Sequence, residues 1–331
     1  MHARRVRGLL EQVRSGGSRN LRTPVTQAGS AELIRRFRAG EPRALARAIT
    51  FCESGIGAQV VAAVHERAGN ARTVGITGPP GVGKSTLGAA LARTARGYEK
   101  SVGVISVDPS SPFSHGALLG DRIRLAEHFT DRGVFIRSMA TRGHFGGLAG
   151  ATADAALLMD AFGLEFVIIE TVGAGQNEVE IASLAQTTVV ALQPGSGDSV
   201  QILKAGIMEI ADVFVVNKSD HPMADLLRRE IRSMLQMAGH AGWVAPIVAT
   251  QAVRGDGIDE LWAALERHAL YLKESGEFER RRRARFAHQV RAIAAGRIER
   301  LVEGVVASDG ATDGDPYAAA ERAVRSLGIR E

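Results

Sequence analysis

Cysteine is almost missing: Cys52 is the single thiol in 331 residues. That excludes a disulfide framework and any cysteine-based zinc cluster. The nine histidines are dispersed, with no H-E-x-x-H and no paired Cys/His spacing, so a dedicated nickel or zinc site is not expected. An excess of one charge sign is small too. The 41 Lys and Arg against 36 Asp and Glu leave +5, which permits an acidic partner without demanding nucleic acid. No uninterrupted apolar stretch approaches the roughly 20 residues that span a bilayer, so no membrane segment is expected. The basic start, MHARRVRGLLEQVRSGG, lacks an apolar core and does not read as a secretory signal. It reads as a basic amphipathic helix, or, being Arg-rich with Glu11 its sole acid, as a mitochondrial presequence. A soluble chain is expected, cytoplasmic, or of the mitochondrial matrix if that presequence is real.

What is present is enough for a large core: 45% of residues are hydrophobic, which excludes wholesale disorder. Three textures follow one another. Residues 1–70 read as a helical N-terminal extension, with helical periodicity in AELIRRFRAG, in EPRALARAITFCESG with Pro42 suited to a first turn, and over 57–68. Residues 71–268 alternate β-branched runs with helical segments: RTVGIT, SVGVISV, GVFIRSM, FVIIET, TTVVAL, DVFVVN and APIVAT. That alternation predicts an α/β fold, a doubly wound and mainly parallel sheet covered on both faces. Residues 269–331 return to helix, with a final helix starting at Asp315-Pro316.

The sharpest motif is Gly78-Pro79-Pro80-Gly81-Val82-Gly83-Lys84-Ser85-Thr86 between a strand-like run and an apolar helix. It fits the P-loop pattern G-x-x-x-x-G-K-S/T. Glycines let backbone N–H groups turn inward around phosphate oxygens, and the following helix points its positive end at the same place. Lys84 is expected to reach the β- and γ-phosphates, and Ser85 to give its hydroxyl oxygen to Mg2+. Asn217-Lys218-Ser219-Asp220 follows another strand-like run and reads as a guanine selector. Asp220 can accept two hydrogen bonds from N1–H and the exocyclic amine of guanine, a donor pair that adenine lacks. Asn217 can bond the base edge or brace the loop, and the Lys218 stem can lie over the ring.

Carboxylates close two further strand-like runs. Glu170 ends FVIIE, followed by Thr171-Val172-Gly173, where the Gly173 N–H could approach a γ-phosphate; Asp108 ends SVGVISVD. In a parallel sheet these ends share one edge, where open α/β sheets bind ligands. Lys84, Asp108, Glu170 and Gly173 are therefore the candidate catalytic set, and Ser85, Asp108, Asp121 and Glu170 the candidate metal set. Asp121 reads equally as a helix cap.

Phosphate loop, V-D-P-S-S, L-L-G-D-R, E-T-V-G-x-G-Q and N-K-x-D, in this order, resemble the MeaB/ArgK (MMAA-type) GTPases of the SIMIBI class of P-loop proteins. The resemblance implies a GTP-hydrolysing, Mg2+-dependent chaperone that binds GTP and GDP. It further implies a role in gating adenosylcobalamin loading of a methylmalonyl-CoA-type mutase, and in protecting or rescuing that mutase. A homodimer formed through the C-terminal helical arm is implied as well. Residue by residue it places Asp108 and Asp121 in a first switch and residues 170–176, ending at Gln176, in a second. Residues 193–204, with Asp198, Gln201 and Lys204 at helical spacing, fall in a third switch. Departures are His115 and His221 where glycines are usual, Ala174, and Ala249-Thr250-Gln251 in place of a clear guanine-bracing S-A. A metal-insertion GTPase and an ATP-dependent kinase of transport proteins are the alternatives. The first is opposed by the missing Cys pairs, the second by Asp220. The Arg280–Arg285 run lies within helical reach of Glu274, Glu277 and Glu279 and has no aromatic interleaving. It reads as a solvated helix face or dimer arm rather than a nucleic-acid surface.

Overall fold

A β-branched run that is apolar at nearly every position must be covered on both faces. In the computed structural model all seven such runs become strands of one sheet. The structure describes residues 27–109, 128, 130–141, 147–171, 177–196, 207–238, 242–309 and 315–326. The strands are β1 Arg72–Thr77, β2 Val102–Pro109, β3 Val134–Thr141, β4 Phe166–Thr171, β5 Thr187–Leu192, β6 Val213–Asn217 and β7 Ile247–Thr250. Their order is β3-β2-β4-β1-β5-β6-β7, and every pairing is parallel. The chain builds β2, β3 and β4 on one side of β1, then crosses to β5 on the other. Such a reversal opens a crevice at the carboxyl ends of the strands.

Every residue of β4 and β5 is buried. Alternate residues serve opposite layers, as the two-residue period of a strand requires. Ile168, Val104 and Val189 join α4 Lys84–Gly97 and α8 Ile258–Glu274 in one apolar cluster. Val167, Ile169 and Ile105 join the opposite one, with α5 Gly147–Phe162 and Leu184 of α6 Asn177–Leu184. Val190 and Leu192 meet α7 Ala224–Ala238 in a third. Each fully buried Leu, Ile or Val contributes about 1.5–3 kcal/mol.

The helices of the expected N-terminal extension do not stand apart. Helices α1 Gln27–Arg38, α2 Pro42–Glu53 and α3 Ala58–Val64 insert Leu33, Phe37, Leu45, Ile49 and Val60 into the α5 cluster. Phe37 meets Phe162 edge-on, with ring centroids 5.3 Å apart. Arg137 of β3 pairs with Glu53. The Asp160 carboxylate of α5 accepts the backbone N–H groups of Gly69, Asn70 and Ala71, fixing the turn that feeds β1.

At the other end, the expected boundary at 268 falls inside α8. That helix continues to Glu274 and buries both His268 and Leu272. The arm proper is α9 Glu277–Asp309, about 50 Å long at helical rise, followed by α10 Pro316–Ser326. Its arginine run divides by direction. Arg281 is bonded to the buried Asp212 carboxylate at 2.9 Å through both terminal nitrogens and to the Gln186 carbonyl. Arg285 bonds the Ala185 carbonyl. Arg280 and Arg282 instead pair along the helix with Glu277 and Glu279. The run is thus only partly a solvated face; two of its members fasten the arm to the sheet. No described helix is long and apolar enough to cross a membrane.

Candidate nucleotide site

The loop between β1 and α4 is shaped by glycines at positive φ, a region that side chains with a Cβ rarely enter. Gly78, Gly81 and Gly83 have φ of +135°, +77° and +93°. A Cβ on Gly78 would collide with the Ala191 carbonyl of β5, and one on Gly83 would come within 2.6 Å of the Asn217 amide nitrogen. Val82 is fully buried and pins the loop to the core. Lys84 and Ser85, the first residues of α4, are also buried. The Lys84 ammonium donates to the carbonyls of Gly78 and Pro79 at 2.6 and 2.9 Å, so its charge sits against the loop backbone at the positive end of the helix.

Asn217 closes β6, paired with Thr250 of β7. Its buried side-chain amide donates to the Val82 carbonyl at 2.8 Å. Its oxygen accepts from the Thr250 hydroxyl at 3.0 Å and the Ala252 N–H at 3.1 Å. Of the two roles open from sequence, the structure gives Asn217 the bracing contacts. The next residue, Lys218, takes a left-handed φ of +57° and donates to the Gly81 carbonyl at 3.0 Å. Asp220, His221, Pro222 and residues 251–254 face Pro80, Gly81 and residues 83–86, Thr86 included, across one cavity of about 980 Å3. That is ample for a nucleoside triphosphate.

Glu170, at the end of β4, is 1% exposed. It accepts a 2.5 Å hydrogen bond from the Ser106 hydroxyl of β2. A Cβ on Gly88 would stand 3.7 Å from its other oxygen, so the carboxylate lies beside the early turns of α4, the helix that carries Ser85 near its start. A carboxylate this deeply buried is costly unless donors or a cation meet it, which fits a metal role. The Asp108 backbone lies at the matching end of β2, paired with Ala140. Asp121, Gly173, Gln176, Asp198, Gln201 and Lys204, together with His115, lie outside the described residues.

The parallel sheet and the glycine-shaped P-loop, with the N-K-x-D segment beside it, mark an α/β P-loop protein of the SIMIBI class. The chain belongs to the family described as "Methylmalonyl Co-A mutase-associated GTPase MeaB", whose sequence model matches residues 45–307. It is a GTPase. A Pyrococcus horikoshii protein named as a GTPase is 45% identical over 309 residues, covering 89% of this chain and 98% of that one. "GTPase ArgK" of Escherichia coli is 35% identical over 266 residues, covering 77% and 80%. The mouse protein "Methylmalonic aciduria type A homolog, mitochondrial" is 36% identical over 214 residues, 63% of this chain and 52% of its own length. Among solved structures, the crystal structure of an "LAO/AO transport system kinase" superposes with a TM-score of 0.67 at 25% identity. That match covers 93% of this chain and all of the other.

Sequence reasoning did not find Thr250 and Ala252 as partners of Asn217, nor the wall made by residues 251–254. The available signal was order: APIVAT is the next strand-like run after DVFVVN, and successive strands often lie side by side.

Proposed function

We propose that this GTPase binds GTP and GDP with Mg2+ in the cavity between residues 78–86 and 217–222, and hydrolyses GTP to GDP and phosphate. We propose further that it serves as a chaperone, gating adenosylcobalamin loading of a methylmalonyl-CoA-type mutase and protecting or reactivating that enzyme. The observation that carries the nucleotide reading is the Asn217 brace. One buried amide ties the phosphate loop to the base loop, so a single cavity offers a phosphate cradle and the Asp220 carboxylate together. The mutase reading is supported by the family description and by the mouse relative's name.

The chain's own groups do the binding. Backbone N–H groups of 81–86 and the start of α4 face the phosphate oxygens, and Lys84 adds a fixed positive charge. Asp220 selects guanine, and the Lys218 stem covers the ring. Ser85, Asp108 and Glu170, with Asp121, would hold Mg2+, which when bound supplies charge neutralisation at the phosphates. Catalysis is positioning and charge neutralisation, so unassisted turnover is slow and rises when a partner orders the site. The arm carries exposed Phe286, Val290, Ile293 and Leu301 on α9, which supports a homodimer formed there.

The test is GTP turnover with and without a purified adenosylcobalamin-dependent mutase. An increase of about tenfold or more supports the chaperone reading; an unchanged rate across methylmalonyl-CoA-type mutases contradicts it and leaves the GTPase intact.

A further inference from the structure

Gln193 is the residue that follows β5, and the resemblance marks it only as the start of a third switch. The Gln193 Oε1 accepts a 2.6 Å hydrogen bond from the Lys218 ammonium, which also donates to the Gly81 carbonyl at 3.0 Å. One ammonium thus joins three loops: the phosphate loop after β1, the segment after β5 and the base loop after β6. Two residues on, Gly195 lies beside the His221 ring; a Cβ there would come within 3.4 Å of it. His221 is itself held, its Nδ1 accepting the Met223 N–H at 3.1 Å. The segment after β5 is therefore docked on the base loop at two points.

An exposed lysine ordinarily samples many rotamers, and ordering it costs entropy on binding. Lys218 is also in a left-handed backbone conformation, unfavourable for a residue with a Cβ. Acceptors from two different loops limit that freedom before any ligand arrives. We propose that Gln193 is a positioning residue for guanine-nucleotide binding. It acts through Lys218, fixing the lysine stem where the purine is to stack. This rests on reading the cavity as a GTP site, and it deepens that reading. Because GTP and GDP share the base, Gln193 serves both alike and leaves the hydrolytic step unchanged.

The experiment is a double-mutant cycle, read by calorimetry with GDP and by steady-state GTP hydrolysis. Gln193→Ala is expected to weaken GDP binding about five- to tenfold and to raise KM for GTP by the same factor, with kcat within about twofold. Gln193→Glu, which keeps an acceptor, is expected to recover most of the loss. In a Lys218→Ala background, Gln193→Ala is expected to add nothing further. Gln193→Met, of similar length and without the acceptor, gives the same reading should alanine loosen the fold. Wild-type GDP affinity in Gln193→Ala and Gln193→Met, or a loss that persists without Lys218, overturns the inference alone. A wild-type chain that binds no guanine nucleotide overturns the site reading beneath it.

Discussion

A carboxylate only accepts hydrogen bonds, and Asp220 brings one to the wall of the cavity. Adenine offers it no matching donor pair, so covering this exposed carboxylate with adenine would strip its water and leave it unpaired. Asp220→Asn is therefore expected to weaken GTP binding about 100-fold or more, and to favour xanthosine triphosphate, whose C2 carbonyl accepts from the new amide. Calorimetry with both nucleotides checks this; unchanged GTP affinity contradicts it. Asn217 acts differently, since its three partners are all protein. Asn217→Ala leaves the Val82 carbonyl and the Thr250 hydroxyl without it, and is expected to cost about 1–3 kcal/mol in denaturant unfolding besides weakening nucleotide binding. Cys52 is held as the neutral thiol: burial pushes its pKa well up, and the nearby Asp154 carboxylate adds to the shift. At this scale the sequence was unevenly legible. Residues 78–86 are contiguous and spell out their geometry. The partners of Asn217 and Gln193 come from different loops, and no local pattern announces which side chain will meet which.

All seven strands were legible as elements, because β-branched runs bounded by turns have few other uses in a chain of this kind. The helices were harder to delimit. The expected break at 268 fell inside α8 because charged residues become frequent there while the buried side of the helix continues to Leu272. The arginine run misled for a related reason: composition shows charge but not direction. Arg281 and Arg285 turn inward because carbonyls at 185–186 and the Asp212 carboxylate wait at the amino ends of β5 and β6. Burial is the largest influence on Asp212 and pushes its carboxyl up. The hydrogen bonds and charges of His268 and Arg281 outweigh it, and the net shift is downward. Glu277, at the start of α9, is drawn down from 4.5 to about 2; the Arg280 hydrogen bond leads, burial opposes it, and Arg281 adds to it. A carboxylate lowered on folding stabilises fully above its unfolded value and loses that contribution as pH falls through its folded value. The melting-temperature gap between wild type and Glu277→Gln is therefore expected to be constant above about pH 5 and to shrink from pH 4.5 towards 2. A gap that widens on acidification contradicts this.

For the whole molecule, the N-terminal helices and the arm are two ways of attaching to one sheet. The first shares the apolar core with α5. The second is fastened by polar bonds at the base of α9 and leaves Phe286, Val290, Ile293 and Leu301 exposed further along. Sequence alone could not separate these cases, since an apolar helical stripe looks the same whether its partner is the same chain or another copy. Light scattering is expected to show a dimer for the wild type and a monomer for Ile293→Asp; equal masses contradict an interface on that stripe.

Partner, arm and switch segments matter only if the cavity at the carboxyl edge of the sheet selects a guanine nucleotide. Calorimetry of the wild-type chain with GTP and with ATP, in Mg2+, measures that selection directly. GTP binding at least about 100-fold tighter than ATP is the expected result. Equal affinities, or ATP the tighter, would contradict it.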